Sequence, residues 1–245
     1  DITAVLANMS DYAFSDPAAN IESLAFLFKD LESAWRAYDG EFGKAMDESF
    51  IKAQGHTLIN WWTNGVRHMT NNVRPIYTPA DVVGVKFRVP QSDYSIKMFQ
   101  ALGTTPVPLS YSELFTAMQQ GTVDGQENGL AGIYASKYQE VQKYLSLTGH
   151  QYNSNPFVFN TEIWEKYSPN LQEAIRECAN EAMMYQREQQ KIQEVEVLQK
   201  LKDEGMEANE VTDKQAFTDA EKVVWDEYRD NFGGELIDLA ISSQN

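Results

Sequence analysis

The feature that most limits what this chain can become is an uninterrupted helical stretch near its C-terminus. Ser168-Pro169 supplies a helix start, and from about Asn170 to Glu204 there is no glycine or proline until Gly205. Leu171, Ile175, Cys178, Ala182, Tyr185, Ile192, Val195 and Leu198 recur at helical spacing and predict its apolar side. At 1.5 Å per residue such a helix runs roughly 50 Å, longer than one small core. It is therefore an amphipathic or coiled-coil arm, or a helix shared by two lobes. A chain of 245 residues, 42% of them hydrophobic, has room for one large domain or two lobes with cores of their own.

Ahead of that helix, strand and helix signals alternate. Residues 2–6 read as a buried strand, followed by an Asn8-Met9-Ser10-Asp11 loop at a possible cleft edge. Helical patterns cover residues 31–38 and 41–54, and residues 57–62 read as a strand. Asn64-Gly65 is a turn signal, with Arg67 just beyond it. Residues 85–89 alternate valine and phenylalanine with Lys86 and Arg88, and Pro90 ends that strand, so Arg88 sits where a strand feeds a loop. Ser92 caps a helix carrying Ile96, Phe99 and Leu102. Ser110-Tyr111-Ser112-Glu113 predicts a capping box on a helix that stops at Gly121. Asp124-Gly125 turns the chain toward Gln126-Glu127-Asn128. Residues 129–144 read as helix, 152–160 as strand and 219–241 as helix again.

Composition removes several functions. A net charge of −16 argues against nucleic acid and anionic membrane surfaces, because phosphate binding needs a basic face. A small anionic ligand would need local positive charge against that field. His56, His68 and His150 are scattered and predict no metal site, and no cofactor motif is present. The lone Cys178 falls on the helical stripe and reads as a small core residue rather than a nucleophile. No apolar run is long enough for a transmembrane helix. The opening Asp1-Ile2-Thr3-Ala4-Val5-Leu6 reads as the interior of a fold rather than as a signal peptide.

A family resemblance runs through the middle of the chain. Gly84-Val85-Lys86-Phe87-Arg88-Val89-Pro90, then Pro106-Val107-Pro108 with Glu113, then the block from Ala117 through Val123-Asp124-Gly125-Gln126-Glu127-Asn128, resemble the solute-binding proteins of tripartite ATP-independent periplasmic (TRAP) transporters. Lys137 to Leu145, Leu147-Thr148-Gly149-His150 and Gly205-Met206-Glu207 continue it, so it covers almost the whole chain. The resemblance implies a two-lobed α/β periplasmic-binding-protein fold of type II, with the long helix shared by both lobes. The expected lobes are residues 1–64 with 154–193, and 65–153 with 194–245. It also implies an earlier strand–helix–strand–helix portion ahead of Asp1, and a signal peptide before that.

The same resemblance implies a periplasmic, monomeric protein that binds a small organic acid between its lobes and delivers it to a membrane permease. Arg88 matches the family's carboxylate-clamping arginine, and a guanidinium fork suits a carboxylate bidentately. Taken alone, an arginine among 36 acidic side chains is more often a surface ion pair. Arg67 is the second expected ligand contact, with Arg74 as the fallback should the register slip. Asn128 offers a donor and an acceptor together, and Tyr111 offers a ring to cover the ligand. Asn8, Trp62, Gln91 and Asn153 are further cleft candidates. A sugar acid such as a uronate is favoured; a C4-dicarboxylate or a sialic acid also fits. The rival readings are an enzyme using the same arginines with Glu127, Glu113 being tied to its cap, and an interaction protein built on the long helix.

Overall fold

The computed structural model describes residues 2–244. Its strands are β1 (Ala4–Leu6), β2 (His56–Asn71), β3 (Lys86–Val89), β4 (Thr105–Pro108), β5 (Gly125–Asn128), β6 (Tyr144–Asn160) and β7 (Glu207–Glu210). Its helices are α1 (Met9–Tyr12), α2 (Leu31–Asp39), α3 (Glu41–Met46), α4 (Asp93–Ala101), α5 (Tyr111–Gln119), α6 (Leu130–Ala135), α7 (Thr161–Trp164), α8 (Pro169–Asp203), α9 (Lys214–Phe232) and α10 (Glu235–Ser242). The sheet order is β1-β6-β2-β5-β3-β4, with β7 pairing β6. β3 runs parallel to β4 and β5, while β2 is antiparallel to β5 and β6.

Two very long antiparallel strands organise this mixed α/β fold. β2 has 16 residues and β6 has 17. At roughly 3.3 Å per residue each spans about 50 Å, the same reach as the 35-residue helix α8. One end of the pair places Trp61, Tyr152 and Val158 in a core with Tyr38, Phe42 and Tyr228. At the other end, Met69 enters a core with Phe87 and Phe99, and Leu145 enters one with Leu114, Ile133 and Leu201. α8 is likewise shared: Ala179 packs with Ile59, Phe159 and Trp164, and Leu201 packs at the opposite end. The two-lobed α/β architecture with a common long helix follows from these shared elements. Residues 194–245 contribute to both ends, because α9 and α10 lay Val224, Tyr228, Ile237 and Ala240 into the first core.

Several local expectations change. Asn64-Gly65 is not a turn between elements but a bulge inside β2, where the register against β6 shifts between Thr63 and Gly65. Gly65 has φ +84°, a conformation that favours glycine, and a Cβ there would lie 2.6 Å from Gln190 Nε2, so the end of that side chain would have to shift. Residues 129–144 form only the short α6 and a 3₁₀ turn before β6 begins, because Lys137 adopts the left-handed φ of +57° and breaks the helix. β1 is an edge strand with Val5 and Leu6 exposed, not a buried one. The Ser110 side chain meets the Glu113 carboxylate instead of capping the backbone of α5.

The buried face of α8 is also not the predicted one. Cys178, Tyr185, Ile192 and Val195 are exposed. The face turned to the protein carries Ala179, Met183, Arg187 and Gln190. Its polar members hold the strand backbone: Arg187 Nη2 donates to Trp61 O at 2.9 Å, and Gln186 Nε2 donates to Thr63 O at 2.9 Å. A hydrophobic stripe cannot reveal a helix whose inward groups are there to bind carbonyls at a strand bulge.

Candidate functional site

β2, β3 and β5 bring the central side chains together. Arg67 projects from β2 one residue before His68, which pairs with Asn128 of β5, and Met69 pairs with Glu127. Arg67 grips Glu127 through Nε and Oε2, and its Nη2 donates to Oε1 at 2.9 Å and to the Glu127 carbonyl at 3.0 Å. Arg67 Nη1 donates to Asn153 Oδ1 at 3.2 Å. On the other side of the carboxylate, His150 Nε2 lies 3.5 Å from Glu127 Oε2, and His150 Nδ1 sits 2.7 Å from Thr148 Oγ1.

Glu127 is only 3% exposed. Burial opposes its ionisation, but the Arg67 guanidinium and His150 overcome that and hold its carboxyl down at about 2. Burial likewise opposes the charge of Arg67, and Glu127 overrides it and pushes Arg67 up. Arg67 is thus a neutralised, oriented donor rather than a free cation.

Arg88 is in a different state. It is 6% exposed, and its Nε donates to the Leu109 carbonyl at 2.8 Å. Among the described residues no carboxylate forms an ion pair with it. Its Cζ lies 5.9 Å from the centre of the Tyr111 ring. Burial, together with the like charge of Arg67, pulls its affinity for the proton down, with Glu127 acting in the opposite sense. A guanidinium nevertheless stays charged, so Arg88 is a largely buried cation whose terminal nitrogens are not neutralised by protein.

Two contiguous cavities meet at these residues. One, of about 550 Å³, is lined by Arg67, Arg88, Tyr111, Asn128 and Gln190. The other, of about 530 Å³, is lined by Arg67, Glu127, Gln91, Asn153, Asn20 and Ser23. Asn8 and Arg67 border both. The second is rich in amides and hydroxyls, which suit a polyhydroxylated ligand body. Tyr111 is 51% exposed, with its hydroxyl 2.6 Å from Ser136 Oγ. Asn128 is fixed by the Gly129 amide, which donates to its Oδ1 at 2.9 Å, and by Gly132, where a Cβ would lie 2.9 Å from Asn128 Nδ2. Asn8 caps α1 by accepting from the Ser10 amide at 3.0 Å.

Seven of the eight sequence candidates therefore line these cavities, and Trp62 does not. Its Nε1 donates to Asn60 Oδ1 at 2.9 Å and its ring packs against Phe157, because strand alternation around the bulge turns it away. Arg74 is exposed beyond the far end of β2, outside both cavities. Sequence reasoning missed Glu22, which accepts from Tyr38 Oη, Ser154 Oγ and the Ser154 amide beneath Ser23 and Asn153. Burial pushes Glu22 up to about 7 against those hydrogen bonds. Its place inside an apolar run gave no signal of a polar network. Among the described residues no three His, Cys, Asp or Glu side chains form a metal cluster.

Comparison with known proteins identifies the family. The family model described as DctP, bacterial extracellular solute-binding protein, family 7, matches residues 1–231. The chain is 33% identical to the 2,3-diketo-L-gulonate-binding periplasmic protein of Escherichia coli, over 88% of this chain and 65% of that one. It is 29% identical to the sialic acid-binding periplasmic protein of Vibrio cholerae, over 90% of this chain and 68% of that one. The chain thus spans about two thirds of the length of these relatives. A TRAP periplasmic solute-binding protein of Chromohalobacter salexigens, solved with bound D-glucuronate, superposes with a TM-score of 0.91 at 31% identity, covering 99% of this chain and 80% of that one. With the shared strands, the long helix and the arginine-lined cavity in place, the chain belongs to the DctP family of TRAP-transporter solute-binding proteins.

Proposed function

We propose that this protein binds a small organic acid in the periplasm, as a monomer, and delivers it to the permease subunits of a TRAP transporter. A sugar acid such as a uronate is the favoured ligand. Relatives described as binding diketogulonate and glucuronate, and the amides and hydroxyls around Asn153 and Gln91, support that choice. One observation carries the reading: Arg88 is a largely buried cation with no carboxylate partner among the described residues, on the wall of a cavity. Burying an unpaired charge is costly, and an incoming carboxylate supplies the missing partner.

In this reading Arg88 carries the ionic contact, and Arg67, oriented by Glu127, contributes hydrogen bonds. Asn128 orients the carboxylate and Tyr111 covers it. The lobes close by hinging where β2 and β6 pass between them, which excludes water and strengthens the ion pair. An enzyme using Glu127 as general acid or base is disfavoured, because a carboxylate held at about 2 by Arg67 is a poor proton carrier at neutral pH. The test is a thermal-shift screen with D-glucuronate, a C4-dicarboxylate and sialic acid. A ligand at about 100 times its Kd adds roughly 2.7 kcal/mol. Arg88→Ala should abolish the shift while leaving the protein folded; a shift of unchanged size in that variant would refute the role of Arg88.

A further inference from the structure

Val66 and His68 flank Arg67 on β2, and strand alternation turns them to the opposite face from the acid cavity. They border a separate cavity of about 330 Å³ behind the hinge strands, whose other walls include Leu147 of β6 and Glu194 and Leu198 of α8. His68 is 7% exposed, and its Nδ1 accepts the Gly149 amide proton at 3.0 Å. That bond places the neutral ring's proton on Nε2. Among the described residues Nε2–H has no acceptor, and it belongs to a side chain that lines the cavity, so a donor is left open toward it.

The surrounding charges are mixed. Lys214 stands beside His68: a Cβ on Gly149 would lie 3.8 Å from its Nζ, and among the described residues no carboxylate forms an ion pair with it. Glu194 and Glu210 supply the opposite sign, while Lys29 and Asp30 add one charge of each kind at the rim. Among the described residues the Glu194 carboxylate accepts one hydrogen bond, from Gln190 Nε2 at 2.8 Å.

We propose that this hinge cavity is a second small-molecule site, for an apolar α-amino acid. Its carboxylate takes His68 Nε2–H and Lys214 Nζ, its ammonium takes Glu194 and Glu210, and its side chain lies on Val66, Leu147 and Leu198. The volume is at the small end for ligand pockets and suits a molecule the size of leucine. A fatty acid would leave the carboxylates without a donor, and a sugar would waste the apolar walls.

The two sites share a physical link. Gln190, the donor to Glu194, also lines the acid cavity, and both side chains pack over the Gly65 bulge. An ammonium that engages Glu194 changes the partner of Gln190, so each ligand alters the affinity of the other by the same factor. This coupling, unlike the site itself, rests on the proposed acid-binding function.

Isothermal titration of the intact protein with L-leucine tests the site. Binding is expected in wild type and, unchanged, in Arg88→Ala. It should weaken about tenfold in Lys214→Glu, which removes a charged hydrogen bond, and be lost in Leu198→Trp and with N-acetyl-L-leucine. The proposal is overturned if L-leucine does not bind folded wild type, if Arg88→Ala removes its binding, or if both Lys214→Glu and Leu198→Trp leave it unchanged. Loss of D-glucuronate binding in Arg88→Ala reads the acid site separately, so either reading can fail alone. In wild type, saturating L-leucine should shift the D-glucuronate Kd about fivefold or more.

Discussion

Replacing Glu127 by glutamine removes one charge from the centre of the site while keeping the side chain's size. The amide keeps one oxygen for Arg67, but its NH2 group faces the other Arg67 donor, so the ion pair and one of the two side-chain hydrogen bonds are lost together. The magnitude follows from the carboxyl being held at about 2 rather than its ordinary 4.5. That displacement corresponds to about 3 kcal/mol of extra stability carried by the ionised form. Removing one partner of a buried ion pair gives a similar figure, roughly 3–5 kcal/mol, because Arg67 is left buried and uncompensated. Since the folded value is depressed, the contribution is present above the unfolded value of 4.5 and is lost as pH falls toward about 2. Urea unfolding at pH 7 should show Glu127→Gln less stable by about 3 kcal/mol, with an acid limb between pH 4.5 and 2 flatter than that of wild type. A loss below about 1 kcal/mol, with an unchanged acid limb, would mean that Glu127 does not serve as the ionised partner of Arg67.

Three further outcomes follow from the same physics. Glu221 is 0% exposed and neither carboxylate oxygen has a hydrogen-bond partner among the described residues; burial pushes it up to about 9, so it folds protonated. A raised folded value adds stability below the unfolded 4.5 that drains away as pH climbs toward 9, at up to about 1.4 kcal/mol per pH unit, and Glu221→Gln should flatten the urea midpoint between pH 6 and 9; an equal slope in both proteins would count against it. Gly65→Ala should cost at least about 1 kcal/mol, because it forces a side chain onto a φ of +84° and against Gln190, and an unchanged urea midpoint would contradict the bulge geometry. Arg187→Leu removes bonds to Asp39 and to the Trp61 carbonyl and should cost about 2 kcal/mol by the same measurement, with a loss near zero showing that α8 holds β2 by other contacts.

Between β3 and β5 the end of the first strand and the two helices were legible because their signals are local, whereas β4, with Pro106 and Pro108, carries no strand pattern and was not read. Pro90 ends a strand, Ser92 caps a helix through the Ser95 amide, and Gly103 and Gly121 follow helices with the left-handed φ values of +74° and +69°. β2 and β6 were legible only in part, as residues 57–62 and 152–160. A strand that serves one core at one end and another core at the other shows no single alternation, and a glycine bulge in its middle looks like a turn. The inward face of α8 failed for a related reason: its contacts at the hinge include hydrogen bonds from Gln186 and Arg187 to strand carbonyls, and hydrophobic periodicity does not register them.

The site divides along the same line. Residue chemistry and the family pattern found side chains that line the cavities, because an arginine at a strand end or an asparagine after a turn is placed by its neighbours in sequence. The pairing of Arg67 with Glu127 was not legible, since β2 and β5 join residues sixty positions apart and only the register brings them together. That pairing changes the charge of the site. Two arginines on one wall, counted from sequence, suit a dicarboxylate as well as a monoacid. In the folded protein Glu127 cancels Arg67, and Arg88 is left as the unpaired cation beside a cavity rich in amides and hydroxyls. A second carboxylate entering there would find no second free charge to offset its desolvation, whereas hydroxyl groups would find Asn153, Gln91 and Ser23. The proposed preference for a single carboxylate on a polyhydroxylated body therefore rests on one long-range ion pair rather than on the number of arginines.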